Sequence, residues 1–204
     1  MAMADGGCAL VLLAAGASLR LGRPKQLLEV AGEPLIRRMA RIATEARLFP
    51  SVVVLGAHSA QIRAVLADLP LQLVENPAWE EGMASSLRAG ISAVLQQAPH
   101  VHGAIVMLAD QPHVTATHLA NIEQARRSSG RSIVATHYGD HSGPPACFSR
   151  EHFPALQNLR GDVGARGLLR AFDAHSIPAP PGMSIDVDTA ADAVRLIESP
   201  PVSR

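Results

Sequence analysis

Short apolar runs alternate with amphipathic stretches along most of this chain, and that alternation restricts the fold more than any other feature. Residues 10–13, 52–55, 71–74, 104–108 and 133–135 are apolar runs, several ended by glycine, proline or aspartate within a few residues. Runs of this length with this punctuation predict buried strands. Between them, apolar side chains recur at helical spacing over about 35–46, 60–67, 83–97 and 116–128. Pro34 suits a first helical turn, and Ser59 and Thr115 suit N-caps. Strands that alternate with helices predict an α/β fold of three layers, a mostly parallel, twisted sheet between helices on both faces. Ligands of such sheets bind beyond the carboxyl ends of the strands.

The second half is less regular. The Gly/Pro-rich stretch 141–147 predicts a segment that leads into or belongs to a short strand, and Ser149 a cap for a helix reaching Gln157. A further helix is expected after Asp162, then a proline-rich turn at 178–182 and a strand at 183–187. Thr189 with Asp192 three residues on resembles a capping box for the last helix. The chain shows no repeats and no boundary, which predicts one domain over 1–204 with frayed ends at about 1–7 and 199–204.

The first strand empties into Ala14-Ala15-Gly16-Ala17-Ser18-Leu19-Arg20-Leu21-Gly22-Arg23-Pro24-Lys25. Small residues let a backbone approach an anion closely, and Arg20 and Lys25 supply positive charge. The spacing is not that of a Walker A loop: five residues separate Gly16 from Gly22, and no Ser or Thr follows Lys25. The dinucleotide pattern G-x-G-x-x-G is absent too. Residues 15–33 are long for a connection without structure, which predicts a functional loop. Asp110 follows another apolar run, so it emerges at a strand end. A carboxylate there is costly unless solvated, paired or metal-bound.

Composition bounds the rest. With 18 basic and 18 acidic residues the formal charge is zero, so nothing global favours nucleic acid or an anionic membrane. Any anion site must be a local concentration of donors. Aromatics are 3% of the chain, so the core must rest on Leu, Val, Ile and Ala. Cys8 and Cys147 form no C-x-x-C and read as two reduced core thiols of a cytoplasmic protein. The apolar stretch from Cys8 is preceded by Asp5 rather than Lys or Arg, so it reads as a strand and not a signal peptide. No apolar run approaches a membrane span. His137 and His141 have helical ligand spacing, but Gly139 and Gly143 argue against a helix there, so no zinc site is expected.

The pattern L-A-A-G-x-S-x-R-x-G-x-x-K at residues 13–25 resembles the signature of nucleotidyltransferases. Within them the chain resembles the molybdenum cofactor cytidylyltransferases of the MobA-like group. The resemblance continues through Asn76-Pro77-Ala78-Trp79-Glu80-Glu81-Gly82-Met83-Ala84-Ser85-Ser86-Leu87 and Leu108-Ala109-Asp110-Gln111-Pro112. It returns at Gly143-Pro144-Pro145, at Gly161-Asp162-Val163-Gly164-Ala165-Arg166 and at Asp186-Val187-Asp188-Thr189.

That resemblance implies a Rossmann-like nucleotide-diphosphate-transferase fold and Mg2+-dependent transfer of CMP from CTP to the phosphate of molybdopterin-bound molybdenum cofactor. Pyrophosphate leaves, and a molybdoenzyme or its chaperone receives the product. Leu13, Ala14, Ala15, Gly16 and Ser18 would cradle the triphosphate, and Lys25 and Arg20 would stabilise its charge. Ser18 either donates to phosphate or closes a turn. Asp110 would bind Mg2+, with Asp188 or Asp186 beside it. Asn76, Gly82 and Ser85 would face ribose and base, with Trp79 as packing. Gly143, Pro144 and Arg166 would face the acceptor, and Asp162 would cap the helix after it. Guanylyltransferases of this kind typically show Leu-Ala-Gly-Gly where this chain has Leu13-Ala14-Ala15-Gly16, which favours CTP. The alternatives are another acceptor, such as a sugar phosphate or methylerythritol phosphate, GTP as donor, and a non-catalytic nucleotide or cofactor binder.

Overall fold

The first strand shows why the sheet must be covered on both sides. All seven residues of β1 (Cys8–Ala14) are buried. Cys8, Leu10, Leu12 and Ala14 join one apolar cluster, and Ala9, Val11 and Leu13 join another. Alternate side chains of a strand point to opposite faces, so an unbroken apolar run needs a helical layer on each. In this computed structural model the described residues are 7–162, 164–172, 174–183, 186, 187, 189, 191, 192, 194 and 196; of Arg166 only the backbone is described.

The remaining elements keep the predicted alternation. They are a two-residue hairpin of β2 (Glu29–Val30) and β3 (Glu33–Pro34), then α1 (Leu35–Glu45), β4 (Ser51–Leu55), α2 (Ser59–Leu66) and β5 (Gln72–Glu75). After these come α3 (Met83–Gln97), β6 (Gly103–Leu108), α4 (Ala116–Ser129), β7 (Ile133–His137), β8 (Ser142–Ser149), α5 (Phe153–Asn158), α6 (Arg166–Ala171) and β9 (His175–Pro178). The main sheet has the order β5-β4-β1-β6-β8-β7-β9. β4, β1 and β6 pair in parallel, as do β4 with β5 and β7 with β9; β8 runs against both its neighbours. Helices α1, α2 and α4 supply residues to the cluster under one face, and α3, α5 and α6 to the other.

Four expectations change. Ser59 does not cap α2, because His58 holds that place in a left-handed conformation and Ser59 Oγ donates to Glu75 at 3.0 Å. Pro34 stands one residue earlier than expected, at the N-cap of α1. Of its two readings, the Gly/Pro stretch takes the one in which it belongs to a strand, but that strand, β8, is eight residues long and not short. Its irregularity is absorbed by a register shift against β7 at Ala135/Thr136. β9 was not expected, since its four residues include a proline and lie half-exposed at the sheet edge, where a missing N–H is tolerated.

Thr115 caps α4 as expected, its hydroxyl accepting from His118 N–H at 3.1 Å. Ser149 precedes a short 3-10 turn leading into α5 without a side-chain cap bond. The capping box is formed in both directions. Thr189 N–H and Oγ1 donate to Asp192 at 2.9 and 2.7 Å, and Asp192 N–H returns to Thr189 Oγ1 at 3.2 Å. Of the expected strand 183–187, Ser184 and Ile185 lie outside the described residues. Met183 sits in a turn, and residues 186 and 187 are in no strand.

Candidate active site

β1 delivers the chain to its carboxyl end at Ala14, and one buried side chain organises the loop beyond it. Gln26 Nε2 donates to Ala14 O at 3.2 Å and to Gly16 O at 2.7 Å. Its Oε1 accepts from the Ser18 hydroxyl at 3.2 Å, and Ser18 Oγ accepts from Lys25 N–H at 3.0 Å. Ser18 holds a positive φ of 59°. Of its two expected roles, closing the turn is the one the structure shows. Ala57 N–H donates to Ala15 O at 3.0 Å, and Gly56 lies so close that an added Cβ would stand 2.7 Å from that oxygen.

The loop is therefore gripped by its carbonyls. Among the described residues, the N–H groups of 16–20 donate to no protein acceptor. Outward-facing amides with their carbonyls tied back form an anion-binding concavity. Arg20 is exposed on the turn that closes from Ser18 to Gly22.

Lys25 reaches from this loop across to the end of β6. Its Nζ lies 2.6 Å from Asp110 Oδ2, each side chain 16% exposed. Asp110 Oδ1 is buried with no hydrogen-bond partner among the described residues. A buried carboxylate oxygen is expensive to leave unpaired. One carboxylate with a spare oxygen beside this loop suits Mg2+, which takes one or two carboxylates plus phosphate oxygens. The late segment also arrives here, since Val187 N–H donates to Asp110 O at 3.0 Å. Asp186 beside it is exposed, and Asp188 lies outside the described residues.

Two residues unassigned from the sequence, Gln111 next to Asp110 and Tyr138, meet at the Pro144 carbonyl. Gln111 is 3% exposed and donates to Pro144 O at 3.1 Å and to Tyr138 Oη at 3.3 Å. The Tyr138 hydroxyl donates to the same Pro144 carbonyl. Burial first and the Asp186 charge second push the Tyr138 phenol well above its usual range, so it remains a donor. Gln26 is likewise unassigned from the sequence. It comes directly after Lys25, and a polar residue opening a buried turn was the available signal.

The block 76–87 spends its polar groups internally. Asn76 Nδ2 donates to Ser85 Oγ at 2.8 Å and Ser86 Oγ at 3.1 Å, and its Oδ1 accepts from Ala78 N–H at 3.0 Å. Ser85 Oγ donates onward to Gly82 O at 2.8 Å. Asn76 and Ser85 thus build a buried turn instead of presenting their side chains to a base. Gly82 has φ 101°, and a Cβ there would stand 2.6 Å from Asp162 N. The space it leaves is filled by residues 161–162, not by a nucleotide. Trp79 is half-buried against Gly56, as packing requires.

Asp162 also differs from its expected place. Its carboxylate accepts from Met83 N–H at 3.4 Å, and Gly161 O accepts from Ala84 N–H at 3.1 Å. It serves the N-terminus of α3, not the helix after it in sequence. An acid there also complements the helix dipole. Arg166 opens α6, its side chain outside the described residues.

On the acceptor side, Gly143 is buried in β8 opposite Thr136. Pro144 borders a cavity of about 240 Å3 that also meets Leu13, Leu108, Met83, Phe148 and Asp162. Thr136 Oγ1 donates to Pro145 O at 2.8 Å, so it must accept from His118 Nε2–H, 2.9 Å away. Burial pushes the His118 imidazole down to about 4. A groove of about 370 Å3 opens at the other end of the sheet near Leu48, Ser51 and Leu69, remote from Lys25 and Asp110.

A family model for the MobA-like NTP transferase domain matches residues 10–177, which include the loop, Lys25, Asp110 and Pro144. The chain belongs to the MobA-like NTP transferase family. Nicotine blue oxidoreductase of Paenarthrobacter nicotinovorans is 34% identical over 167 residues, covering 78% of this chain and 80% of that one. Molybdenum cofactor guanylyltransferase of Pseudomonas fluorescens is 30% identical over 167 residues, covering 81% and 78%. Among solved structures, Rv0371c of Mycobacterium tuberculosis matches with a TM-score of 0.83 at 32% identity, over 97% of this chain and 100% of that one. A structure of Rv0371c with manganese gives 0.79 at 29%, over 95% and 99%. This family member is a nucleotidyltransferase by its fold and its family, and the manganese complex makes divalent metal use consistent with the spare oxygen of Asp110. Among the described residues, no helix is long and apolar enough to cross a membrane.

Proposed function

We propose that this enzyme transfers CMP from CTP to the terminal phosphate of molybdopterin-bound molybdenum cofactor. An acceptor phosphate oxygen attacks the α-phosphorus of CTP, the bond to the bridging oxygen of the β-phosphate breaks, and pyrophosphate carries the electron pair away. The nucleophile is already anionic, so positioning and charge stabilisation carry the catalysis. The observation that supports this reading most is the Lys25–Asp110 pair at 2.6 Å beside a loop whose amides face outward.

The amides of 16–20 hold the β- and γ-phosphates, and Arg20 adds charge from the rim. Lys25 turns from Asp110 to the α-phosphate and stabilises charge as the leaving oxygen departs. Asp110, with Asp188 or Asp186, holds Mg2+, which when bound neutralises phosphate charge and fixes its geometry. Pro144 and Arg166 belong to the acceptor side. Gln26 holds the loop in register, and Gln111 with Tyr138 holds the Pro144 carbonyl.

The donor base is argued from Ala14-Ala15, where guanylyltransferases of this kind show Ala-Gly. GTP is the competing donor for two reasons. The Pseudomonas relative is named a guanylyltransferase. The Ala15 methyl is also packed toward Gly56, 2.8 Å from where a Cβ there would stand, not toward open space. The deciding experiment measures pyrophosphate release with Mg2+ and CTP, GTP, ATP or UTP, each alone and with molybdenum cofactor, a sugar phosphate or methylerythritol phosphate. Release with CTP plus cofactor alone supports the proposal. Release with GTP replaces the base assignment and keeps the chemistry. Release only with a sugar phosphate or methylerythritol phosphate replaces the acceptor. CTP binding without release from any acceptor leaves a binder.

A further inference from the structure

We propose that Cys8, Glu123 and Cys147 form a structural site for a thiophilic divalent cation of the zinc class, at the end of the sheet opposite the nucleotide loop. Cys8 opens β1, whereas the loop leaves its other end at Ala14. Six residue steps of strand separate these ends by about 20 Å. The site is therefore distinct from the catalytic centre.

The two sulfurs lie 3.3 Å apart, and a ligand atom from each of the three residues lies within 4.8 Å of the others. All three residues are buried. With Zn–S of ~2.3 Å and Zn–O of ~2.1 Å, tetrahedral coordination sets S···S near ~3.8 Å and S···O near ~3.5 Å. The sulfurs at 3.3 Å and a carboxylate oxygen within 4.8 Å bracket those values and supply three of the four corners, the fourth falling to water.

The sheet argues against the simpler pairing, a disulfide. Cys8 pairs with Gly103 of β6, and Cys147 pairs with Ile105 of the same strand from the other side. β6 runs between them, so their backbones are held nearly two strand spacings (~4.8 Å each) apart, beyond the ~7 Å over which a disulfide closes. The sulfurs meet because Gly103 has no side chain: a Cβ there would stand 3.0 Å from Cys8 Sγ. A bridging ion spans a gap that a direct S–S bond does not.

Charge points the same way. Glu123 on α4 is 7% exposed, and Arg126 and Arg127 bind its carboxylate at 2.8 to 3.1 Å. Two guanidinium groups thus hold this carboxylate as an anionic donor in the core. Two thiolates, one carboxylate, a divalent cation and the Arg126 guanidinium sum to zero, so the loaded cluster buries no net charge. Arg126 then orients the ligating carboxylate from outside. Loading releases the two thiol protons and ties β1, β8 and α4 together across 139 residues of sequence. Sequence spacing gave no sign of this, since only the sheet order brings the three together.

The test uses the full chain, reduced and stripped of metal, with Co2+ as the probe. Co2+ is added to the folded protein and, separately, is present during refolding. The expected result is a near-ultraviolet thiolate-to-cobalt band at one cobalt per chain. The band should be lost in Cys147→Ala and Cys8→Ala and kept in Asp110→Asn, because oxygen ligands at the catalytic site give no such band. Elemental analysis of protein expressed with zinc should find one zinc per chain in the wild type and in Asp110→Asn. Absence of the band under both conditions overturns the proposal. So does a wild-type mass two hydrogens lower without reductant, which would mean a disulfide. Both readouts come from the wild-type chain, so the outcome does not depend on whether a variant folds.

Discussion

The loop 15–25 and the block 76–87 both carry sequence motifs of the same family, yet the structure uses their polar groups in opposite ways. In the loop, Gln26 and Ala57 take up the carbonyls and leave the amides of 16–20 facing outward, while across from it Asp110 keeps one buried oxygen without a partner among the described residues. In the block, Asn76, Ser85 and Ser86 satisfy one another, and the room made by Gly82 is taken by residues 161–162. A buried polar group left open costs stability unless a ligand completes it, whereas a closed network costs little and rigidifies. The open region carries the groups that the proposed reaction needs, and the closed one spends its polar groups on holding structure.

Lys25→Ala should break the open region with the largest effect. Loss of a preorganised cation at the transferring phosphate lowers turnover by roughly 100-fold to 1,000-fold, or ~3–4 kcal/mol. Single-turnover pyrophosphate release, with circular dichroism as the control for folding, reads this directly. Turnover within a few-fold of wild type would remove Lys25 from the chemistry.

Asn76→Ala should do the reverse, lowering stability and sparing chemistry. It strands the half-buried Ala78 N–H and unties the two buried hydroxyls of Ser85 and Ser86, at a cost of about 1–3 kcal/mol. Urea unfolding should show that loss, while KM for the nucleotide stays within about twofold of wild type, a change of under ~0.5 kcal/mol. A raised KM at unchanged stability would make Asn76 a base reader and erase the contrast between the two regions.

These regions also mark how far the sequence could be read. The β-α alternation exposed the sheet and its helices because period and punctuation are local properties. Asp110 stood out because it follows an apolar run, and Lys25 because it closes the glycine-bearing loop five residues after Arg20. Asn76, Gly82 and Asp162 were recognised as special, but the contacts the structure gives them, and the helix that Asp162 caps, were not foreseen. Their actual neighbours are set by α3 docking beside the 161–162 turn, about 80 residues away, and no local pattern encodes that contact. Gln26 and Gln111 were missed because a buried glutamine has no period of its own. β8 was expected to be short because glycine and prolines mask the length of a strand that tertiary pairing imposes.

The acceptor-side block extends the closed behaviour, and acid should sharpen that. His118 donates to Thr136, which donates to Pro145 O beside Pro144. Its folded pKa of about 4 lies below the unfolded value of 6.5, so the unfolded chain binds the extra proton. Its contribution is complete above pH 6.5 and is lost as pH falls toward 4. At pH 5 stability should be lower by ~2 kcal/mol than at neutral pH. His118→Gln should flatten that part of the profile in chemical denaturation. An unchanged slope would place the acid sensitivity elsewhere.

The smallest effect probes the junction of the open region itself. Without nucleotide, Lys25 Nζ occupies Asp110 Oδ2 at 2.6 Å, so a divalent cation approaching Asp110 meets a positive charge beside the same carboxylate. Nucleotide phosphates give Lys25 another anion, and metal and nucleotide should therefore bind better together than apart. Lys25→Met removes the competing charge and keeps the alkyl stem. It should bind Mn2+ more tightly than wild type in the absence of nucleotide, by about fivefold or ~1 kcal/mol for a pair still touched by solvent. It should also lose the extra affinity that CTP confers. Mn2+ electron paramagnetic resonance reads free metal without any turnover. Unchanged or weaker Mn2+ binding in Lys25→Met would mean that lysine and metal do not share Asp110. The orphaned oxygen would then need a different ligand, and the loop would be open to phosphate alone.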